Sequence, residues 1–576
     1  MRAFAAVLLS MGMVASPVFA GTDPAKEDPS PAARATAVSP AAPKDAATEN
    51  AVIENQLLDL RNLVETQTEE LESQRAALKA QQLKMEALER RLHATSSEPA
   101  VTPAVASEAI FSATPASSAA AIPGTPVTPG AALPAQEKTD EVSPLQFRIG
   151  SAYITPVGFM DFTGMWRSHD GGSGIGTNFA GIPYGNVFQN SLSEFRESMQ
   201  NSRIGFRVDA IVKGARVIGY MESDYLGNNG GNVAVSSNSN TLRSRLYWVD
   251  VQKDKWEVLG GQTWSLITPG RTGISPLQGN VFFTQNVDVN YQAGLVWGRI
   301  PELRFVYHPS AKVAFAVALD SPEQYTGGSA GGSTITYPMA LASLGGTQLD
   351  TGGTTLGDPN FTPDLIAKLA FDPSSKFHIE VGGMERQFKI WNPSPSPSGM
   401  TFTKTGAGAF VNLNFELFKG FRLLTNNFWS DGGGRYIFGQ VPDLILRADG
   451  TISPIKAAST VSGFEFTHKN TLLYAYYGGV YVQRNMAFDT NGETLIGYGW
   501  NGSPSGQNRA IQEETIGFNQ TLWKDAKYGA LNFMGQYSYL QRNPWSVASG
   551  SPTNAHLNMV FLDLRYTLPG GAPAIK

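Results

Sequence analysis

The chain has 576 residues, 44 Lys and Arg against 49 Asp and Glu, a formal net charge of -5, 60 glycines and no cysteine. Without thiols there are no disulfides, thiolate metal sites, cysteine nucleophile or lipid-modified cysteine, and the mild acidity with no basic block excludes nucleic acid as a partner. No run of about twenty apolar residues occurs, so any passage through a membrane must use strands closed into a barrel, where every backbone group finds a partner.

Residues 1–20 read as a secretory signal: Arg2, the apolar run Phe4 to Val14, then Val18-Phe19-Ala20 before Gly21. Residues 21–50, rich in Ala, Pro, Ser and Thr, read as a disordered leader. Over 51–94 the residues Ile53, Leu57, Leu60, Val64, Gln67, Leu71, Gln74, Leu78, Gln81, Met85, Leu88 and Leu92 recur at spacings of four and three, the seam of an α-helical coiled coil about 60 Å long. Gln67, Gln74 and Gln81 weaken that seam but hydrogen-bond within it, fixing register and strand number; three strands are expected. A lone amphipathic helix on a membrane or another domain is the alternative. Residues 95–145 carry Pro at 99, 103, 115, 123, 126, 129 and 134, which leaves a semi-extended linker.

From 146 to 568 the period changes to two. In the hairpin over 194–227, Arg203, Gly205, Arg207 and Asp209 share one face and Ile204, Phe206, Val208 and Ala210 the other. After the Lys213-Gly214 turn, Arg216, Ile218, Tyr220, Glu222 and Asp224 continue the polar side. The same two-faced pattern recurs in Ala407 to Leu417 and in Val560 to Leu568. A soluble sandwich also alternates in this way. Short turns such as Lys213-Gly214, Lys419-Gly420 and His468-Lys469-Asn470 alternate with long connections such as Ser321 to Pro363, the rhythm of an antiparallel transmembrane β-barrel. At roughly 26 residues per strand with its loop, about 16 strands are expected, enough for a wet lumen. Tyr247, Trp248, Trp256, Phe428, Trp429, Trp523, Tyr528, Tyr537 and Tyr539 lie near strand ends, where a membrane-interface belt would place them. Residues 569–576 form a tail beyond the last strand.

Five short words in order along this block are Asn201-Ser202-Arg203-Ile204-Gly205-Phe206, Tyr220-Met221-Glu222-Ser223-Asp224-Tyr225, Gly260-Gly261-Gln262-Thr263-Trp264-Ser265, Arg299-Ile300-Pro301-Glu302-Leu303-Arg304-Phe305 and Leu564-Arg565-Tyr566. With the heptad helix ahead of them, they resemble the DcaP-like family of trimeric outer-membrane porins. The resemblance implies a homotrimer embedded in outer-membrane lipid, each channel admitting small, often acidic, organic solutes.

A pore selects by the charge and width of its narrowest part. Arg203, Arg207, Arg243, Arg245 and Arg304 fall on polar faces, Arg299 stands in a family-like word, and Glu222 and Asp224 are expected to face the arginines across the lumen. The same residues in direct pairs would brace the inner wall instead. The irregular stretch from Leu266 to Ala293, containing Arg271, either folds inward as a constriction or lies outside as a latch between subunits; Gly327 to Gly357 is the competing constriction. The six histidines (His93, His169, His308, His378, His468 and His556) lack metal-ligand spacing, no nucleophile elbow follows a strand, and the Gly-rich runs lack the setting of a phosphate loop. The expectation is therefore a non-enzymatic porin of the bacterial outer membrane, with no metal or cofactor, passing small anionic, carboxylate-bearing solutes. Its coiled coil would stand in the periplasm, where peptidoglycan or a periplasmic protein is the available partner. The alternatives are a structural tether between outer membrane and cell wall, and a lipid hydrolase assembled on the barrel wall.

Overall fold

The computed structural model describes residues 143–570 apart from 229–239, 278–279, 281–283, 329–330, 352–361 and 394–398. The expected signal, leader and coiled coil, with nearly all of the linker and tail, lie outside the described residues.

Sixteen antiparallel strands close into one cylinder. They are β1 (Ala152–Arg167), β2 in two pieces (Glu194–Ser198 and Arg203–Val212), β3 (Ala215–Asp224), β4 (Arg243–Lys253), β5 (Trp256–Trp264), β6 (Arg299–Ser310), β7 (Val313–Asp320) and β8 (Asp364–Ser374). The circuit continues with β9 (Phe377–Asn392), β10 (Met400–Phe418), β11 (Phe421–Asp431), β12 (Lys456–His468), β13 (Thr471–Val482), β14 (Asn508–Asp525), β15 (Gly529–Pro544) and β16 (Ala555–Thr567). The sheet has 18 ladder segments, because β2 counts twice and Phe147–Ile149 pairs only with the foot of β1. Closure is made by β1 against β16, in register from Phe159↔Thr567 to Arg167↔Met559, so the circuit of sixteen strands closes on itself.

The interruption in β2 falls within the Asn201-Ser202-Arg203 word. Lower β1 pairs with the Arg203 piece and upper β1 with the Glu194 piece. Between them, the Ser202 hydroxyl accepts the Asp161 N–H at 2.9 Å and Asn201 Nδ2 donates to the Asp161 carboxylate at 3.3 Å. A Cβ on Gly158 would stand 2.2 Å from the Arg203 carbonyl oxygen, at φ +137, so the crossing at this bulge requires glycine.

One end of the cylinder carries only tight turns. At the first, Lys213 (φ 50) and Gly214 (φ 78) are both left-handed, the two-residue turn whose twist matches paired strands. The other end carries the long connections, including two small hairpins, Leu444–Leu446 with Ile452–Pro454 and Asn485–Phe488 with Leu495–Tyr498.

The two wall faces invert the arrangement of a soluble protein. Outward positions such as Met160, Phe162, Ile204, Phe206, Leu303, Phe305, Phe315, Leu369, Leu473, Ile516, Leu562 and Leu564 are large, apolar and exposed. Inward positions bury Asp161, Asp209, Asp250, Asp320, Asp364, Glu380, Glu513 and Asp563. An apolar band around a polar bore is what a lipid-facing barrel presents. Tyr247, Trp256, Trp429, Trp523, Tyr528 and Tyr537 are exposed, as a belt requires, whereas Trp248 and Phe428 are buried and point inward. Each falls one residue out of phase with an outward neighbour, and the sequence word alone does not reveal that parity.

Candidate functional site

The inner wall over β2 to β6 places the predicted charged residues together. Arg245 is buried and donates from Nε to Glu222 at 2.9 Å and from Nη1 to Asp224 at 2.6 Å. Arg243 pairs with the same Asp224 at 2.9 Å, and Arg203 Nη1 lies 3.6 Å from Glu222. Arg207 grips Asp209 through two bonds of 2.7 and 2.8 Å. Arg304 lies 2.5 Å from Glu302 and donates to the Trp264 carbonyl at 2.6 Å. Glu222 and Asp224 therefore do not face the arginines across the bore; they stand beside them on neighbouring strands. Five of the six arginines stand against carboxylates of their own wall, Arg203, Arg243 and Arg245 sharing Glu222 and Asp224, which follows from register: Asp224 opposes Arg203 on one side and Arg243 on the other.

Arg299 is the exception. Among the described residues no carboxylate lies within the 4.0 Å ion-pair limit of its guanidinium, which instead sits 5.4 Å from the ring centres of both Trp264 and Trp297. Trp264 and Trp297 are 5.7 Å apart edge to face, Tyr291 closes on Trp297 at 5.4 Å, and Phe438 stacks behind Trp297 at 4.6 Å. This cradle holds the cation by ring quadrupoles without cancelling its charge. Arg542 also lacks a carboxylate, but its guanidinium is occupied by the carbonyl oxygens of Ile182 and Ala180, at 2.7 and 3.1 Å. Arg299 was legible in the sequence; of its partners, Trp264 stood only within a family-like word, Tyr291 and Trp297 were not singled out, and the local signal was Trp297 two residues before the arginine.

The connection between β5 and β6, residues 265–298, supplies Tyr291 and Trp297 and folds inward. Arg271 reaches β12 and holds Glu465 through two bonds of 3.0 and 2.9 Å. Farther along, the Ala293 N–H donates to Glu513 on β14 at 2.8 Å and the Val296 N–H to Asn426 on β11 at 3.2 Å. Bonds to β11, β12 and β14 from a loop rooted in β5 and β6 mean that it crosses the bore. Of the two sequence readings for this stretch, the inward one holds, and Arg271 is a strut. An Arg271→Ala variant leaves Glu465 buried and unpaired and should cost the loop about 3 kcal/mol of anchoring. Larger single-channel conductance with weaker solute discrimination is the expected result; unchanged conductance would show that the loop is held elsewhere.

The competing stretch after Gly327 packs among the long loops. Ile335 bonds back to Thr326, and Thr336 pairs with Gly497 of the second small hairpin. Its end residue Asp350 accepts the Thr326 N–H at 2.7 Å and the Thr326 hydroxyl. Burial outweighs those hydrogen bonds and, helped by nearby Asp443 and Glu323, pushes the Asp350 carboxyl up to about 6. A raised folded value means the folded loop holds the proton more tightly, so its stability is full below the ordinary 3.8 and falls as pH rises to about 6. Hydrogen-exchange protection over 331–350, taken relative to the intrinsic rates that themselves rise with pH, should therefore fall across that window, and Asp350→Asn should flatten the fall.

Among solved structures, the outer membrane channel DcaP of Acinetobacter baumannii is similar over 72% of this chain and 97% of its own, with a TM-score of 0.51 at 15% sequence identity. The chain has the fold of that channel. The anion-selective porin from Comamonas acidovorans covers 72% of this chain and 99% of its own at 11% identity, with a TM-score of 0.40. No protein-family model and no curated protein matches the chain. In a porin fold of this size the closed sheet alone leaves room for water. The inward loop and its aromatic cradle stand inside the cylinder, and they hold Arg299 over two indole rings.

Proposed function

We propose that the chain is a passive channel of the bacterial outer membrane, admitting small hydrophilic anions, with carboxylate-bearing solutes as the main class, and working as a homotrimer without enzymatic activity. The observation that carries this reading is the Arg299 cradle. A full positive charge held beside the inward loop, with Arg245, Arg243 and Arg203 each tied to Glu222 or Asp224, gives the narrow zone a positive bias. A confined charge between low-dielectric walls raises the local concentration of counter-ions, and a guanidinium suits carboxylates through paired N–H donors. The apolar outer band and closed sheet support the membrane setting. The heptad over 51–94 supports association of three copies.

The test is the reversal potential of the purified protein in a planar bilayer under a salt gradient. Chloride preference, with inhibition of small-ion current by added mono- and dicarboxylates, is expected. Cation preference would overturn the reading of Arg299.

A further inference from the structure

All seven tight turns carry an exposed lysine: Lys213, Lys255, Lys312, Lys376, Lys419, Lys469 and Lys527. They fall between β2 and β3, β4 and β5, and so on around the cylinder to β14 and β15, so one cation stands at every second strand gap. Arg148, exposed at the foot of β1, continues the ring where the chain closes on itself. Among the described residues none of the seven lysines forms an ion pair; Lys527 Nζ lies over the Tyr528 ring, 5.3 Å from its centre. The only acid within the two- and three-residue turns is Asp254, and the neighbouring Asp525 spends its carboxylate on the N–H groups of Lys527 and Tyr528.

Directly above the lysines stands a belt of outward rings: Trp256 against Tyr307 at 4.6 Å, Phe418 stacked on Phe421 at 4.8 Å, and exposed Phe371, Trp523 and Tyr528. Such rings settle at headgroup depth. Lysine stems beside them run along apolar surface and carry their ammonium groups outward to the same depth. Apart from Lys368, which pairs with Glu380 inside the wall at 3.1 Å, the cation types divide as their chemistry suggests: planar arginines make the fixed pairs inside the bore, and compact, flexible, hydrated lysines make the rim.

We propose that this rim is a binding collar for anionic phospholipid headgroups in the leaflet that surrounds the tight-turn end. The ring shape selects the occupant. A soluble protein partner would touch one sector or cover the mouth, whereas cations repeated at every second strand gap at ring-belt height match the lipid annulus, which borders each barrel outside the sector that trimer partners cover. The proposal rests on the membrane reading above.

The test uses the full chain in vesicles of phosphatidylethanolamine with and without phosphatidylglycerol, extracted in mild detergent and weighed with its retained lipid by native mass spectrometry. The wild type should retain phosphatidylglycerol over phosphatidylethanolamine, and high salt should reduce the excess. Changing all seven lysines to Gln should remove it, each lysine being worth about fivefold in affinity for an anionic surface. Changing Lys404 and Lys456 to Gln at the opposite end should leave it intact, and channel conductance should not move in either variant. A threefold variant, K312Q with K376Q and K419Q, serves if the sevenfold one fails to assemble, and should lose a matching share. Equal retention of both lipids by the wild type, or undiminished phosphatidylglycerol retention by the sevenfold or the threefold rim variant, would overturn the collar. Failure of the wild type to enter vesicles would instead overturn the membrane reading itself.

Discussion

An Arg299→Glu channel is expected to reverse its ion preference, and Arg299→Ala to bring it near neutrality, while Arg207→Ala leaves it unchanged. The difference lies in what each guanidinium already does. Arg207 is matched by Asp209 at 2.7 Å, and Arg216 stands 3.5 Å from the same carboxylate, so Asp209 keeps a counter-charge when Arg207 is lost. Arg299 has no such partner among the described residues, so its charge projects in full into the zone narrowed by the β5–β6 connection. Replacing it with glutamate changes the local charge by two units beside Arg203, Arg243 and Arg245, which share Glu222 and Asp224. Focusing by low-dielectric walls makes a change of this kind worth on the order of tenfold in the anion-to-cation permeability ratio. The effect should shrink as ionic strength rises and the screening length falls to about 3 Å near molar salt. The measurement is reversal potential at low and high salt for the three variants. If Arg207→Ala shifts selectivity as far as Arg299→Glu, net lumen charge governs and the cradle has no special role.

The barrel was readable because strand periodicity is local and the turns are short. Lys213-Gly214, Lys419-Gly420 and Lys469-Asn470 each mark a hairpin, and the alternation at Arg203 to Val212 assigns the charged side chains to one face before any partner is known. What the alternation cannot carry is register. Whether Asp224 meets Arg243 and Arg245 or looks across the bore depends on which residues lie opposite one another, and that is set by the shear of the whole cylinder. The expectation of a transverse field between acids and arginines failed for that reason. The cradle around Arg299 was hidden by the same kind of non-local fact. Trp264 ends β5, Trp297 ends the inward loop, and Phe438 arrives from the connection after β11; only closure brings the three together. Trp248 and Phe428 show the converse error, since nearness to a strand end suggested an interface belt while their parity buries them.

Arg386→Ala is expected to be the most destabilising single change in the inner wall. The side chain projects from β9, and its guanidinium sits 2.9 Å from Asp364 on β8 and 2.8 Å from Asp443 in the loop after β11, with all three groups essentially without solvent contact. It also donates to the Gly432 carbonyl at 2.7 Å and to the Glu323 carbonyl, so one side chain ties two strands to two long loops. Tyr436 adds a hydroxyl to Asp364 at 2.9 Å and to Asp320 at 3.2 Å, which keeps a second buried acid in the group. Removing the cation leaves Asp443 buried without its counter-charge and Asp364 with only Arg435, at 3.4 Å, a loss of about 3 kcal/mol. The damage should appear first in the loops, because the barrel ladder retains its own hydrogen bonds. Proteolysis over 432–455 should quicken at temperatures where the β-sheet signal is still intact, and the heat needed to unfold the barrel should fall as well. Adding Asp364→Asn and Asp443→Asn to the Arg386→Ala background removes the stranded charges and should recover much of the lost stability. If the triple variant is no more stable than the single one, the guanidinium acts by filling space and by its carbonyl bonds, and charge compensation is not what holds these loops inside the cylinder.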